Sequence, residues 1–462
     1  MVSSVILARL LLPEHFGLFN TAMVIVNAVQ ILPDLGLGQT FIVHSEGGQR
    51  AYSTGFYAVL LLSAVLAGCV FAAADWVALL ARQPEVAPVL RVLAVNIVIF
   101  AAASVPIALM QKAQRWRAQA MVEFAAPFAS AVVMVALAYW GMGVWSIVGG
   151  YLTRSAVLAS SVWVLSRWRP TGGIDWSLLR QLFRFSRWIV LERLSAFTLL
   201  TIDNAYLARW QGARMLGFYA LPYNWISVPV QYFVLQSNRV LLPVLSSVQG
   251  VERNEVFLKA CMGLSFVLSP IYFFWIFHAH LFVEALFGQK WLPSAPVLQW
   301  LALYALAYSL MGGVFTSLFW AMQKPQLIVY PTWVALAVAI AGLVWGQGQW
   351  DALAVAKWFT VAIYVRAAMV LLCLRVTGAF RVSEVLAAVT NGWLPALVAA
   401  VLSAVVASWL AMPVVVELLV AVLLHANLYL TGYGLLRERN ALAFYRVGRW
   451  KQLLLQGRRP QS

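Results

Sequence analysis

Eight long stretches of this chain contain no Asp, Glu, Lys or Arg: Ala51–Ala74, Val92–Gln111, Phe124–Thr153, Met215–Asn238, Ala260–Val283, Trp291–Gln323, Pro325–Gln349 and Val385–Val416. A helix that crosses a bilayer needs about 20 predominantly apolar residues. With no water in the hydrocarbon, its backbone must hydrogen-bond to itself. Runs of this length, repeated along the chain, restrict it to a bundle of transmembrane helices. Composition agrees: 63% of the residues are hydrophobic and only 10% charged, where a soluble domain carries about 25% charged residues. The fold class is all-α, a polytopic helical membrane protein.

The formal net charge of +16 would suit nucleic acid or anionic lipid, but its distribution follows topology. Basic residues gather in alternate loops: Lys112, Arg115 and Arg117; then Arg167, Arg169, Arg180, Arg184 and Arg187; then Arg239, Arg253 and Lys259; then Lys324, Arg375 and Arg381. The tail adds seven more between Arg437 and Arg459, whereas the intervening loops hold only Arg82, Arg91, Arg209, Arg214 and Lys290. This is the positive-inside bias, and it puts the C-terminus in the cytoplasm. It leaves no support for a nucleic-acid role.

Hydropathy and turn residues give a stub at 1–12 and thirteen full spans: 18–43, 53–74, 90–111, 119–140, 144–166, 183–208, 215–238, 257–278, 295–322, 327–346, 353–374, 391–411 and 414–436. Connections are short, and the longest outer loop, His278–Ser294, has room for a small amphipathic turn. Trp76, Trp140, Trp145, Trp168, Trp291 and Trp350 stand at span ends and read as interfacial anchors. Cys69, Cys261 and Cys373 lie singly inside apolar spans and read as small core residues, without disulfide or metal site. No cleavable signal peptide is visible, because Arg9, Pro13 and Glu14 interrupt the first apolar stretch.

One stretch occurs twice. Leu7-Ala8-Arg9 through Gly17-Leu18-Phe19 is echoed two hundred residues later by Leu207-Ala208-Arg209 through Gly217-Phe218-Tyr219. Gln30 and Ser45…Gly47 are answered more loosely by Gln231 and Ser246…Gly250. A repeat inside a hydrophobic chain predicts two similar helical bundles, a common build for secondary transporters. In the second copy about 24 apolar-rich residues precede the motif; in the first only Met1–Ile6 do. Six residues cannot cross about 30 Å at 1.5 Å each. The first helix is therefore expected to be truncated in this sequence, a short re-entrant piece being the alternative.

Four segments together resemble a known family. Asp34-Leu35-Gly36-Leu37-Gly38 is similar to its "DLGLG" signature, and Ala8-Arg9-Leu10-Leu11 through Gly17 to its "ARLLxPexFG" turn. Gly141-Met142-Gly143-Val144-Trp145 resembles its "GxGxWaLV" helix entry, and Asp203…Arg209…Leu216-Gly217-Phe218-Tyr219 its mid-chain stretch. These are marks of the polysaccharide transporter family of oligosaccharide (O-antigen type) flippases, within the multidrug/oligosaccharidyl-lipid/polysaccharide exporter superfamily. The resemblance implies two six-helix lobes plus a final helix pair. On this sequence those fall at 1–166, a basic cytoplasmic linker at 167–182, 183–374, the pair at 391–436, and a basic tail at 437–462. It also implies a bacterial inner membrane location and translocation of undecaprenyl-pyrophosphate-linked sugar units, with polysaccharide polymerase and export proteins as associated partners.

Ionisable residues at bilayer depth cost about 2.5–3.5 kcal/mol each on insertion scales and are functional candidates by default. Arg154, Arg193 and Arg366 lie well inside expected spans. Arg stays charged and grips phosphate bidentately, so these three are the candidates for lining a cavity and binding pyrophosphate or sugar. The competing reading pairs them with neighbouring acids or carbonyls, or lets them snorkel to an interface. Glu192 and Asp203, eleven residues apart, share one helix face, with Arg193 about 100° away. With Glu123, they are candidates for binding the H⁺ or Na⁺ that drives export by alternating access; structural counter-ions are the competing role. Asp34, between Pro33 and two glycines, is expected to cap or order a broken helix end, ion binding being the alternative.

No GxxxxGK[ST] loop, HExxH or GxSxG is present, so no ATP hydrolysis or other enzymatic activity is expected, and no cofactor or metal. A multidrug/cation antiporter is the runner-up; it would favour an acidic cavity, whereas the deep charges here are mostly Arg. A membrane glycan polymerase or ligase would bring a long basic outer loop, which is absent.

Overall fold

A computed structural model describes residues 2–34, 48–113, 115–171, 173, 175, 197–324, 326–377, 381–410 and 412–439. These residues form helices and turns, with no strand among them. In chain order the helices are α1 (Val2–Leu10), α2 (Pro13–Asp34), α3 (Gly48–Ala81), α4 (Val86–Lys112), α5 (Trp116–Tyr139) and α6 (Val144–Ser166). A described segment 197–210 makes α7. It leads into α8 (Gly212–Pro229), a π turn (Val230–Val234) and α9 (Leu235–Ser247). Next come α10 (Gly250–Phe287), a 3₁₀ turn (Gln289–Ser294), α11 (Ala295–Leu310), a second π turn (Met311–Phe315) and α12 (Thr316–Ala321). Helices α13 (Gln326–Trp345), α14 (Ala352–Val376), α15 (Val382–Trp409) and α16 (Val414–Arg439) complete the set.

Ten helical segments among the described residues are long and apolar enough to cross a membrane, which makes the chain a multi-pass integral membrane protein. The spans expected at 18–43 and 183–208 run into residues outside the described set, and the one at 215–238 is broken by the π turn that follows Pro229. Proline cannot donate a backbone hydrogen bond, so the ladder loses a rung there.

Local chemistry explains the helix ends and kinks. Proline is favoured in the first turn of a helix, where its missing N–H costs nothing, and α2 begins with Pro13 followed by Glu14. Gly141 and Gly143 take positive φ (74° and 54°) in the turn before α6. Inside α10, Pro270 cannot donate to the Phe266 carbonyl; the Tyr429 hydroxyl on α16 donates to that carbonyl instead, at 2.8 Å. Such re-satisfaction from a neighbouring helix is what makes proline tolerable in a membrane span.

The helices sort into two compact units. One comprises Met1–Asn224, Leu286–Val297 and Thr332–Ala362; the other comprises Trp225–Ala285, Leu298–Pro331 and Ile363–Ser462. In the first, Leu90, Leu93 and Ile97 of α4 pack with Ala22 and Val26 of α2 and Val70 and Ala74 of α3; the alanines let the backbones approach closely. In the second, α15 docks on α10 through Ser265 Oγ donating to the Val389 carbonyl at 2.8 Å and Ser269 Oγ to the Gly392 carbonyl at 2.9 Å.

Three expectations are corrected. His278–Ser294 is not a loop: α10 continues to Phe287 across a kink at His278 (φ −113°, ψ 19°), and the 3₁₀ turn follows. Its apolar residues Ala279, Phe282, Val283 and Ala285 are buried, which holds the extra turns in place. Trp291 is not an interfacial anchor but is fully buried, at 0% exposure. Cys69 is exposed, beside exposed Val65 and Phe71 on α3. In a membrane protein an apolar side chain can face lipid as well as core, so composition did not distinguish the two.

Candidate functional site

The two copies of the repeat are two helix–turn–helix hairpins, α1–α2 and α7–α8, and they cross each other in the first unit. A Cβ placed on Gly17 would meet the Ala213 carbonyl oxygen at 1.7 Å, and one placed on Gly217 would meet the Pro13 carbonyl oxygen at 2.0 Å. Position 17 touches position 213, and position 217 touches position 13. With a two-hundred-residue offset, this is a reciprocal contact about a local two-fold axis. Only glycine allows backbone to lie on backbone this closely, so each copy's glycine exists for the other copy.

Other turns at the sparsely charged end of the helices close over this crossing. Trp291 Nε1 donates to the Ala8 carbonyl at 2.7 Å, and Gln83 Nε2 donates to the equivalent Ala208 carbonyl at 2.8 Å. The Trp291 ring lies edge-on to Phe16 (5.3 Å) and Phe218 (6.0 Å), one from each hairpin. Lys290 Nζ donates to the carbonyls of Arg9 and Leu11 at 2.8 and 2.7 Å, and Arg9 Nε donates to the Leu286 carbonyl at 2.9 Å. On the second hairpin, Gln211 Nε2 donates to the Gly348 carbonyl at 2.8 Å. Sequence reading found the glycines but missed Gln83 and Trp291. The signal for Trp291, a Trp at a span end, pointed to lipid; a lone Gln in a turn carries no signal at all.

His15 sits at this end, outside the spans. Its Nδ1 accepts a hydrogen bond from the Leu12 backbone N–H at 3.3 Å, and its ring faces Gly143. Burial holds its pKa below the usual 6.5; Glu14 and Glu85 pull it up, and Lys290 pushes it down further.

Of the expected site residues, Asp203 lies on α7 in the first unit and is buried. Its Oδ2 accepts from the Tyr219 hydroxyl of α8 at 2.6 Å, and its Oδ1 accepts from the Asn204 backbone N–H at 2.7 Å and Asn204 Nδ2 at 3.1 Å. The carboxylate therefore ties the second hairpin together. Arg154 is exposed on α6 and interacts with the Tyr151 phenol. Glu123 is exposed on α5 and accepts from Gln119 Nε2 at 2.7 Å. Glu192 and Arg193 lie outside the described residues, as does most of the Asp34–Gly38 motif.

Arg366 lies on α14 in the second unit, only 7% exposed. No carboxylate among the described residues pairs with it, and its Nε makes no hydrogen bond. Its electrostatic neighbours are the phenols of Tyr304 and Tyr308, whose rings stack at 5.7 Å. Tyr308 precedes the Met311–Phe315 π turn, and that turn meets the other one: a Cβ on Gly313 would stand 3.0 Å from Val234 Cγ1. Asn238 spans the pair, donating to the Gly312 carbonyl at 2.9 Å and accepting from Ser317 Oγ at 2.8 Å. An uncompensated guanidinium at this depth is costly, and a bidentate oxyanion is the ligand that would neutralise it.

The described helices define a polytopic helical membrane protein. Residues 6–296 match the family described as "Polysaccharide biosynthesis protein", and the chain belongs to that family. It is 27% identical over 353 residues to the lipopolysaccharide biosynthesis protein WzxC of Escherichia coli K12, covering 74% of this chain and 71% of that one. It is 25% identical over 300 residues to the succinoglycan biosynthesis transport protein ExoT of Rhizobium meliloti (64% of this chain, 61% of the relative). With the teichuronic acid biosynthesis protein TuaB of Bacillus subtilis it shares 23% over 293 residues, 59% of that relative's length. The fold is that of the lipid II flippase MurJ in an inward closed conformation, with a TM-score of 0.77 at 11% identity over 95% of this chain and 96% of the other. A multidrug resistance MATE family transporter in an inward-facing conformation gives 0.62 at 14% identity (83% and 94%).

Proposed function

We propose that this chain is a flippase that carries undecaprenyl-pyrophosphate-linked oligosaccharide units across the bacterial inner membrane for surface polysaccharide synthesis. The observation that carries the reading is membership of the polysaccharide biosynthesis family, with a relative named as a transport protein. Arg366 supports the choice of an anionic headgroup over a cationic drug, because a buried cation with no carboxylate partner among the described residues repels cations. Arg154 and Arg193 are the further candidates for that headgroup, and Asp203, Glu192 and Glu123 for the coupling ion. Charge bias in the loops supports a cytoplasmic C-terminus, which directs the glycine crossing to the periplasmic side. The lobes at 1–166 and 183–374, the linker, the helix pair and a partnership with polymerase and export proteins belong to the same reading.

The test is a strain lacking this gene. Lipid-linked oligosaccharide should accumulate on the cytoplasmic leaflet and clear when the chain is restored. Accumulation on the periplasmic leaflet would point to a polymerase or ligase; normal export with altered drug tolerance would point to the antiporter.

A further inference from the structure

Two histidines in the interior of the second unit take no part in the site above. His278 stands at the kink of α10 and His425 on α16; they are 3% and 4% exposed, with ring centroids 6.4 Å apart. Their hydrogen bonds fix their tautomers. A carbonyl can only accept, so His425 Nε2, 3.0 Å from the Pro270 oxygen, carries the proton. Ser403 Oγ spends its own proton on the Ala400 carbonyl at 3.1 Å, so it accepts from His278 Nε2 at 3.3 Å. Both rings are thus Nε2–H tautomers, and both Nδ1 atoms are buried lone pairs without a hydrogen-bond partner.

We propose that His278 and His425 form a proton-binding site, holding one proton per pair. An imidazole nitrogen with a free lone pair is a base that titrates near neutrality in ordinary surroundings. Phe274 stacks on the His278 ring at 4.6 Å and 7° and stands edge-on to His425 at 5.6 Å, so the face of an aromatic ring is already in place for an imidazolium. A second proton would set two cations about 6 Å apart at low dielectric, which limits the pair to one. The other ionisable groups on these helices do not take up the lone pairs. Tyr272 and Tyr429 donate their hydroxyls to the carbonyls of Ile226 and Phe266. His280 and Glu384 are exposed, and Glu284 and Glu417 partly so. The remaining polar groups facing the two rings are backbone: Phe274 and Ser403 at His278, and Pro270 and Ala399 at His425, and a carbonyl dipole there favours the protonated ring. The site needs no substrate, so it stands or falls apart from the flippase reading.

The experiment compares the full chain with its H278N/H425N double variant in lipid bilayers by proton uptake from about pH 8 to about pH 5. Ring ¹⁵N spectra of histidine-labelled protein are recorded over the same range. The native chain should take up one proton more than the double variant. Each single variant should lose nothing, because the remaining ring still accepts one. In the spectra, two Nε2–H neutral rings should give way to one imidazolium. Equal uptake by the native chain and the double variant, or two rings that remain neutral to about pH 5, would overturn the proposal. If the double variant does not fold, the spectra of the native chain decide alone.

Discussion

The α1–α2 and α7–α8 hairpins meet through the same backbone contact yet are held by different chemistry. The first is gripped from outside: Trp291 and Lys290 reach in from a distant turn to the carbonyls of Ala8, Arg9 and Leu11. The second is held from within, by Asp203 on α7 accepting from Tyr219 on α8. The first hairpin has Ser3 and Phe19 at the corresponding positions, and these cannot make that bond. The second hairpin's external clamp, Gln83, is a flexible amide where the first hairpin has a buried indole. The two copies share what the crossing needs, a glycine facing a carbonyl, and differ in their clamps. One hairpin depends on the rest of the fold for its shape, while the other brings its own.

The crossing itself gives the largest expected effect. Ala in place of Gly17 or Gly217 puts a methyl within about 2 Å of a backbone carbonyl, which no side-chain shift can relieve. The cost should exceed the about 1–3 kcal/mol of ordinary overpacking, and export should fall sharply for both variants. Because the two contacts share one crossing, the double variant should cost clearly less than the sum of the singles. Thermal stability of the purified variants tests this; additive losses would mean that the contacts are independent.

Next come the clamps. W291A removes a fully buried ring that touches both hairpins, for an expected loss of about 3–5 kcal/mol. Q83A leaves the Ala208 carbonyl without its donor, for about 1–3 kcal/mol. The order W291A over Q83A, read by thermal unfolding in detergent, is the prediction; the reverse order would place the main grip on the second hairpin. In transport the ranking concerns charge instead. Arg366→Gln should lower export about tenfold or more while leaving membrane abundance unchanged, since one charge-assisted contact is worth about 1.5–3 kcal/mol. Glu123→Gln, at an exposed position, should leave export near normal.

How much of this was legible in advance depended on which physical signal each residue carried. Charge-free spans announced the helices, because hydrocarbon forbids exposed backbone and charge. The repeat announced Gly17 and Gly217, although only the fold revealed that each faces the other copy. Trp291 was misread because a Trp at a span end has the same local sequence whether it faces lipid or a neighbouring hairpin. Cys69 was misread for the related reason that lipid and core accept the same side chains. Arg366 could be named from its depth alone, but its tyrosine neighbours come from α11, some sixty residues earlier, which no spacing rule brings together. His278 gave no sign as a kink, since the partner it meets there, Ser403, comes from α15, 125 residues later.

The smallest expected effect separates the hairpins by pH. His15 belongs to the first hairpin, and the equivalent position in the second is Met215, which cannot titrate. Burial lowers the His15 pKa below 6.5, so the folded state favours the neutral ring, whose Nδ1 accepts from the Leu12 N–H. Its contribution is complete above about pH 6.5, where the unfolded chain's histidine is also neutral. It shrinks as pH falls from there towards the lowered folded value, because the unfolded state gains a proton that the folded state resists. Below that value the loss stops growing. His15→Asn keeps an acceptor for Leu12 and removes the titration. The variant should therefore match the native chain near pH 7.5 and exceed it modestly near pH 5 in thermal unfolding. An unchanged difference across that range would show that the ring is not held neutral.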